Sequence, residues 1–187
     1  MKTLHAMCRV LEQRRRALKQ DLGHRQIGVA ACQVLDDLLG QARAVAAQVP
    51  ADAPITLSYI ENQMGDEIET LRVISVTLTR MADLMNEAED VIYERRQPFI
   101  RLIGRIESAG YAVDTDTFTT VTDPRDWSVL DSIDDPGVHV VLAADKIARA
   151  EQAALYQQRL QRMDAAINRI EADYAQKIRD LTHQPRV

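Results

Sequence analysis

The chain has 187 residues, with 23 basic and 28 acidic side chains and a formal net charge of −5. One domain is the default expectation at this length, and the charge disfavours non-specific nucleic-acid binding, which needs a clustered positive surface. One Trp, two Phe and five Tyr leave the apolar load to Ala, Leu, Ile, Val and Met, a set that fills helix–helix seams better than it builds sandwiches or barrels.

The first segment, about residues 3–48, reads as one long helix. Leu4, Met7, Leu11, Leu18, Leu22, Val29, Cys32, Leu35, Leu39, Ala42 and Ala46 recur at steps of three, four or seven, which places them on one stripe. Thr3 can cap its start. Gly23 and Gly28 weaken its middle, so a bend or a close helix contact is expected around His24 to Ile27. Cys8 and Cys32 lie 24 positions apart on it, about 36 Å at helical rise, too far to bridge within one straight helix. Buried apolar thiols are the expectation, with no disulfide framework to argue for an oxidising compartment. Arg14, Arg15, Arg16 and Lys19 form a basic cluster read as a solvated face. Pro50 and Pro54 end the helix.

The second segment, about residues 55–110, carries the strongest pattern. Ile60, Met64, Ile68, Leu71, Ile74, Leu78, Met81, Met85, Ala88, Ile92, Phe99, Leu102 and Ile106 step by close to 3.5, the coiled-coil period. Leu71, Leu78 and Met81 are expected buried at its centre. A kink is expected near Glu94 to Gln97, because Pro98 removes a backbone hydrogen bond. Gly110 is the expected C-cap.

Residues 111–137 break the helical pattern. Tyr111–Val113 and Phe118–Val121 are short β-favouring runs around Asp114–Thr117, which predicts a small hairpin. Pro124 and Pro136–Gly137 read as breakers. The segment carries about six net negative charges and is long for a plain connector, which suggests a folded cap or a functional loop. Its acids and its Trp make Asp114, Asp116, Asp123 and Trp127 the candidate partner-binding residues: complementary charge steers association, and Trp is favoured at binding hot spots. The simpler expectation for Trp127 is burial against the helix ends, with an exposed anchor as the alternative. The last helix, about residues 140–181, is expected to seat Ile147, Ala150, Ala154, Met163, Ile167, Ile170, Tyr174, Ile178 and Leu181 in the seam.

The predicted fold is therefore all-α: one elongated domain over residues 1–187, an antiparallel three-helix bundle or coiled coil with a β-hairpin-like cap between helices two and three. No chemistry-bearing motif stands out. His5, His24, His139 and His183 lack the local His or Cys spacing of zinc sites. Glu12, Glu87 and Glu171 lack the His three positions on that a di-iron bundle uses. Counting from Asp114, the Gly and Glu places of a calcium EF-hand hold Thr119 and Arg125. There is no G-x-S-x-G, P-loop or dinucleotide fingerprint. The expectation is a protein that is not an enzyme and uses no cofactor or metal, acting on a protein partner or on itself through helical surfaces, without nucleic acid. No stretch approaches a membrane span, and the N-terminus does not read as a signal peptide.

Ser108-Ala-Gly-Tyr-Ala-Val113, then Asp114 and Asp116, then Thr119-Thr-Val-Thr-Asp-Pro124, resembles a segment in the helical N-terminal domains of actinobacterial proteins tied to type VII (ESX) secretion. Glu171-Ala-Asp-Tyr-Ala-Gln-Lys-Ile-Arg-Asp-Leu181 is similar to the last turns of that domain. The resemblance covers about residues 108–181. It implies a long helix, an Asp-rich hairpin and a second long helix in a distantly WXG-like substrate or targeting domain, cytoplasmic or exported by a leaderless route. The chain departs from that pattern at two places. Trp127-Ser-Val129 lacks the Gly of Trp-x-Gly, and the Tyr-x-x-x-Asp/Glu export signal is absent, since Tyr156 precedes Leu160 and Tyr174 precedes Ile178 by four. An oligomeric coiled-coil scaffold is the alternative expectation.

Overall fold

The computed structural model describes residues 2–21, 26–47 and 57–183. The chain is mostly helical: α1 (Lys2–Asp21), α2 (Gln26–Ala47), α3 (Leu57–Ser108) and α4 (Pro136–Asp180), with strands β1 (Ala112–Val113) and β2 (Val121–Thr122) between α3 and α4. It divides into two compact units, Met1–Asp90 with Ile170–Val187, and Val91–Arg169. Long helices α3 and α4 each supply residues to both.

In the first unit, the segment expected to be one helix is two. Helices α1 and α2 fold back on each other. Arg43 pairs with Glu12, and Arg15 Nε lies 2.6 Å from Asp36 Oδ1, so later residues of α1 meet earlier residues of α2. The expected bend at His24 and the stop at Pro50 and Pro54 lie outside the described residues. Leu11 of α1 and Ile27, Ala30, Ala31, Val34, Leu35, Leu38, Leu39 and Ala42 of α2 are buried. That is a broader face than the sequence stripe, in which Val29 proves exposed. Both cysteines are free and half-buried.

The 3.5-residue seam of α3 holds within this unit through Ile74, Thr77, Met81 and Ala88, all buried. Leu71 and Leu78 are half-buried at its margin, so of the three residues expected at the centre only Met81 is fully enclosed. Met64 and Ile68 are exposed. Tyr174 of α4 donates its hydroxyl to Glu87 at 2.8 Å, and Lys177 Nζ lies 4.4 Å from the centroid of the same ring. Thr182 donates to Asp37 of α2 at 3.1 Å.

In the second unit, α3 runs on through Pro98 and ends where sequence reasoning placed its cap. Gly110 has φ +80°, its N–H donates to Glu107 at 2.9 Å, and the Tyr111 N–H reaches back to Ile106 at 3.2 Å. This is the paired closure of a Schellman motif. A side chain at position 110 would be strained in this left-handed conformation, which glycine adopts freely. The hairpin then forms with Ala112 opposite Thr122 and Val113 opposite Val121. Leu102, Ile106, Tyr111, Val121, Ala153 and Leu160 make one buried cluster, with Phe99, Ile103, Val113, Tyr156 and Met163 packed against it.

Helix α4 begins earlier than expected. Asp135 accepts from the N–H groups of Gly137 at 2.8 Å and Val138 at 3.3 Å, so it is the N-cap. Pro136 sits at the first helical position, where its missing N–H costs nothing. The dipeptide read as a breaker is a helix start. The stripe of α4 also differs. Ile147 is 60% exposed, and Ala150 and Ala154 also face solvent, while Ala153 and Leu160 are buried. From Ile167 through Tyr174 to Ile178 the expected seam holds.

Candidate functional site

The cap is organised by two aspartates of different kinds. Asp114 closes β1. Its Oδ1 accepts from the Thr117 N–H at 2.7 Å, the Thr117 hydroxyl at 2.8 Å and the Asp116 N–H at 3.2 Å. The Asp114 backbone N–H reaches Thr120 at 3.0 Å, and the Phe118 N–H returns to Asp114 at 2.9 Å. The loop is tight enough to hold Phe118 at φ +54°, a region a bulky residue seldom occupies. Hydrogen bonds from Thr117, backbone first and then hydroxyl, hold the Asp114 carboxyl below its ordinary range. Such donors favour the charged form.

Asp123, just after β2, is bound to a different element. Arg149 of α4 approaches it with two nitrogens, Nε to Oδ2 at 2.9 Å and Nη2 to Oδ1 at 2.8 Å, the fork geometry that makes Arg–carboxylate pairs strong. Both side chains are about nine-tenths enclosed, 11% and 10% exposed. The Trp127 indole N–H donates to Asp123 Oδ2 at 3.0 Å, and the Arg125 N–H to Oδ1 at 3.3 Å. The Arg149 hydrogen bond, chiefly, lowers the Asp123 carboxyl to about 2, and the same bond raises Arg149 above its ordinary value.

Arg149 spends its remaining capacity on the end of α3. Nη2 donates to the Gly110 carbonyl at 2.9 Å, and the guanidinium carbon stands 4.3 Å from the Tyr111 ring centroid, within cation–π reach. Three more contacts tie the cap to α4. Gln157 accepts from the Val121 N–H at 3.2 Å, Arg125 pairs with Asp145 at 3.0 Å, and Tyr111 meets Tyr156 edge-on at 5.5 Å. Positions 145, 149, 153, 156, 157 and 160 share one side of α4 at 3.6 residues per turn, and that side carries the cap.

The opposite side of α4 is apolar and uncovered in this unit. Val140, Ile147 and Leu155 are 66%, 60% and 60% exposed. Ala144, Ala148 and Ala154, also exposed, continue the stripe at helical spacing, with Glu151 interrupting it. Val138 and Val141 are exposed as well, but they stand seven and four positions before Asp145 and so on its side of the helix. Single exposed apolar residues are ordinary; here several lie along one side of one helix, before and after Glu151.

Of the four candidate residues, Asp123 and Trp127 are brought together and tied inward. Trp127 is half-buried, its ring 5.9 Å from the Arg125 guanidinium carbon, so it anchors the cap as well as presenting an edge. Asp114 is exposed but its Oδ1 is engaged within its own loop, and Asp116 projects into solvent. Arg149, the centre of the arrangement, was missed by sequence reasoning. Its one visible signal is an arginine on the same helical side as Ala153 and Leu160, where an apolar residue would be expected.

Among the described residues, no group of three or more His, Cys, Asp and Glu is placed to hold a metal ion, and no helix is long and apolar enough to cross a membrane. No protein family, no curated protein and no solved structure matches this chain.

Proposed function

We propose that this chain is a non-enzymatic interaction protein whose working surface is the uncovered apolar side of α4, with the Asp-rich cap beside it. The observation that carries this reading is the run Val140, Ile147 and Leu155, exposed on a helix whose other side holds the cap through Arg149 and Gln157. Leaving such a run in water is unfavourable by about 25 cal/mol per Å² of apolar area, a cost that a helical partner would remove. The order of elements supports a likeness to the type VII secretion-associated targeting domains: a long helix closed at Gly110, a hairpin bearing Asp114, and a second long helix. In this reading the protein partner is recognised through helix packing, with Asp116 and its neighbours steering approach.

The test is affinity capture from the native organism with the full chain, beside a Val140→Lys/Ile147→Lys double variant of unchanged helical circular dichroism. A defined protein captured by the parent and lost by the variant is the expected result. Capture that is indifferent to the replacement would sink this assignment of the surface.

An oligomeric coiled-coil scaffold is the second reading, and the same exposed run favours it. Sedimentation equilibrium separates the two. A scaffold self-associates through Val140 and Ile147, whereas a targeting domain is monomeric until its partner is added.

A further inference from the structure

Three arginines of the second unit face one groove. Arg101 and Arg105 of α3 and Arg159 of α4 line a cavity of about 260 Å³ whose other walls are Pro98, Leu102 and Met163. We propose that this groove binds a phosphate monoester, its dianion held by the three guanidinium groups and its carbon body laid on Pro98, Leu102 and Met163.

The first argument is charge without compensation. In the second unit Arg149 pairs with Asp123 and Arg125 with Asp145, and the carboxylates of those pairs are taken up there. Among the described residues, none of Arg101, Arg105 and Arg159 pairs with a carboxylate. Their helical neighbours offer none. Three and four positions from Arg101 stand Gln97, Pro98, Gly104 and Arg105; from Arg105, Arg101, Leu102, Ser108 and Ala109; from Arg159, Leu155, Tyr156, Arg162 and Met163. Like charges at these spacings repel, and a bound dianion would relieve that repulsion.

The second argument is geometry. Arg101 Nε donates to the Gln97 carbonyl of its own helix at 3.3 Å, which leaves its terminal nitrogens free. Arg105 lies one turn on along the same side of α3, and Arg159 belongs to α4, so the arginines of the lining come from two elements. Guanidinium forks match the oxygens of a phosphoryl group, and several around one anion give more than a single surface arginine can. The third argument is the wall. Leu102 is buried in the unit's core and Met163 is half-buried against it, so the groove floor is apolar and fixed. A bare inorganic anion would leave that floor in water. An ester would cover it, in keeping with small-molecule sites that combine apolar walls with a few polar groups.

The experiment is calorimetric titration of the full chain, at low ionic strength, with phenyl phosphate and with inorganic phosphate. Saturable one-to-one binding is expected, tighter for phenyl phosphate. Arg105→Gln and Arg159→Gln should each weaken it by about tenfold, and Arg105→Lys by less, because a lysine keeps the charge but loses the fork. Both positions are exposed, so helical circular dichroism should be unchanged. Vesicles of phosphatidylcholine with and without phosphatidic acid identify the source. Arg105-dependent retention on the acidic vesicles assigns the monoester to a lipid headgroup, and its absence beside phenyl phosphate binding assigns it to a free metabolite. The proposal is overturned by no saturation with phenyl phosphate, by saturation that both glutamine variants leave intact, or by binding of an oligo-aspartate peptide without binding of phenyl phosphate.

Discussion

Helix α2 and the cap solve the same problem with different materials. In α2, Ile27, Ala30, Ala31, Val34, Leu35, Leu38, Leu39 and Ala42 are buried, and the ion pairs of Arg43 and Asp36 with α1 lie at exposed margins. In the cap, the strands are two residues each, and a share of the joining work falls on a nearly enclosed ion pair, Asp123 with Arg149, that also holds Trp127 and the Gly110 carbonyl. Aliphatic burial is spread over many residues and is insensitive to pH. An enclosed ion pair concentrates its effect in two side chains, and removing one leaves the other charge unpaired, which is worse than never having placed either.

The largest effect should come from the first unit. Ile74 is wholly buried while Leu78, in the same seam, is half-buried. Ile74→Ala should cost about 2–5 kcal/mol in thermal or denaturant unfolding, the usual range for emptying such a site, and Leu78→Ala clearly less. Equal losses would mean that the seam is centred on Leu78 after all. In the second unit, Arg149→Met should release the cap. Trp127 emission should shift toward that of a solvated indole while far-ultraviolet circular dichroism stays helical. Unchanged emission would show that the hairpin and Tyr111 hold the cap without the ion pair.

The pH response should sharpen the contrast. Asp123 has an ordinary value of 3.8 and is held at about 2 by Arg149. A carboxyl depressed by folding lends stability that is fully present above its unfolded value and is lost as pH falls through the folded one. The Trp127 signal should therefore change between about pH 4 and pH 2, and Asp123→Asn should abolish that transition. At the other extreme, the hydrogen bond to Glu87 raises the Tyr174 hydroxyl above 10.0. A group raised by folding lends stability below its unfolded value, so this contribution fades only as pH climbs past 10. Tyr174→Phe should cost about 1 kcal/mol, the typical net worth of one hydrogen bond, read by denaturant titration at neutral pH. Asp116→Asn should have the smallest effect on folding, because that side chain is exposed and its backbone alone contacts Asp114.

What was legible followed from local periodicity and local punctuation. Helix α3 announced itself by a 3.5-residue step, and Gly110 closed it where a left-handed residue was needed. The hairpin followed from two β-favouring runs around Asp114. The fold-back between α1 and α2 did not show, because apolar residues before and after it stay in phase and read as one stripe. The start of α4 was misread because Asp-Pro is both a breaker and a cap-plus-first-turn signal, and only Asp135 bonding Gly137 and Val138 decides between them. The orientation of α4 was lost near Ile147, where Ala and Val stand on several sides of the helix and period alone chooses no face. Arg149 offered only its place on the side of Ala153 and Leu160 as a local signal, since its partner is 26 positions away. For the four candidate residues, the non-helical segment that carries them was readable, but which of them turn inward was not.

The contrast between a spread apolar seam and a concentrated ionic clasp is tested most directly by hydrogen exchange on the Arg149→Met variant, resolved by segment. Amides of residues 111–122, including the Val121 N–H that Gln157 accepts, should exchange markedly faster than in the parent. Amides of residues 27–42 in α2 should keep their parent rates. Equal acceleration in both segments would mean that cap and seam rise and fall together, and parent-like rates in the cap would mean that the Asp123–Arg149 pair is not what holds it.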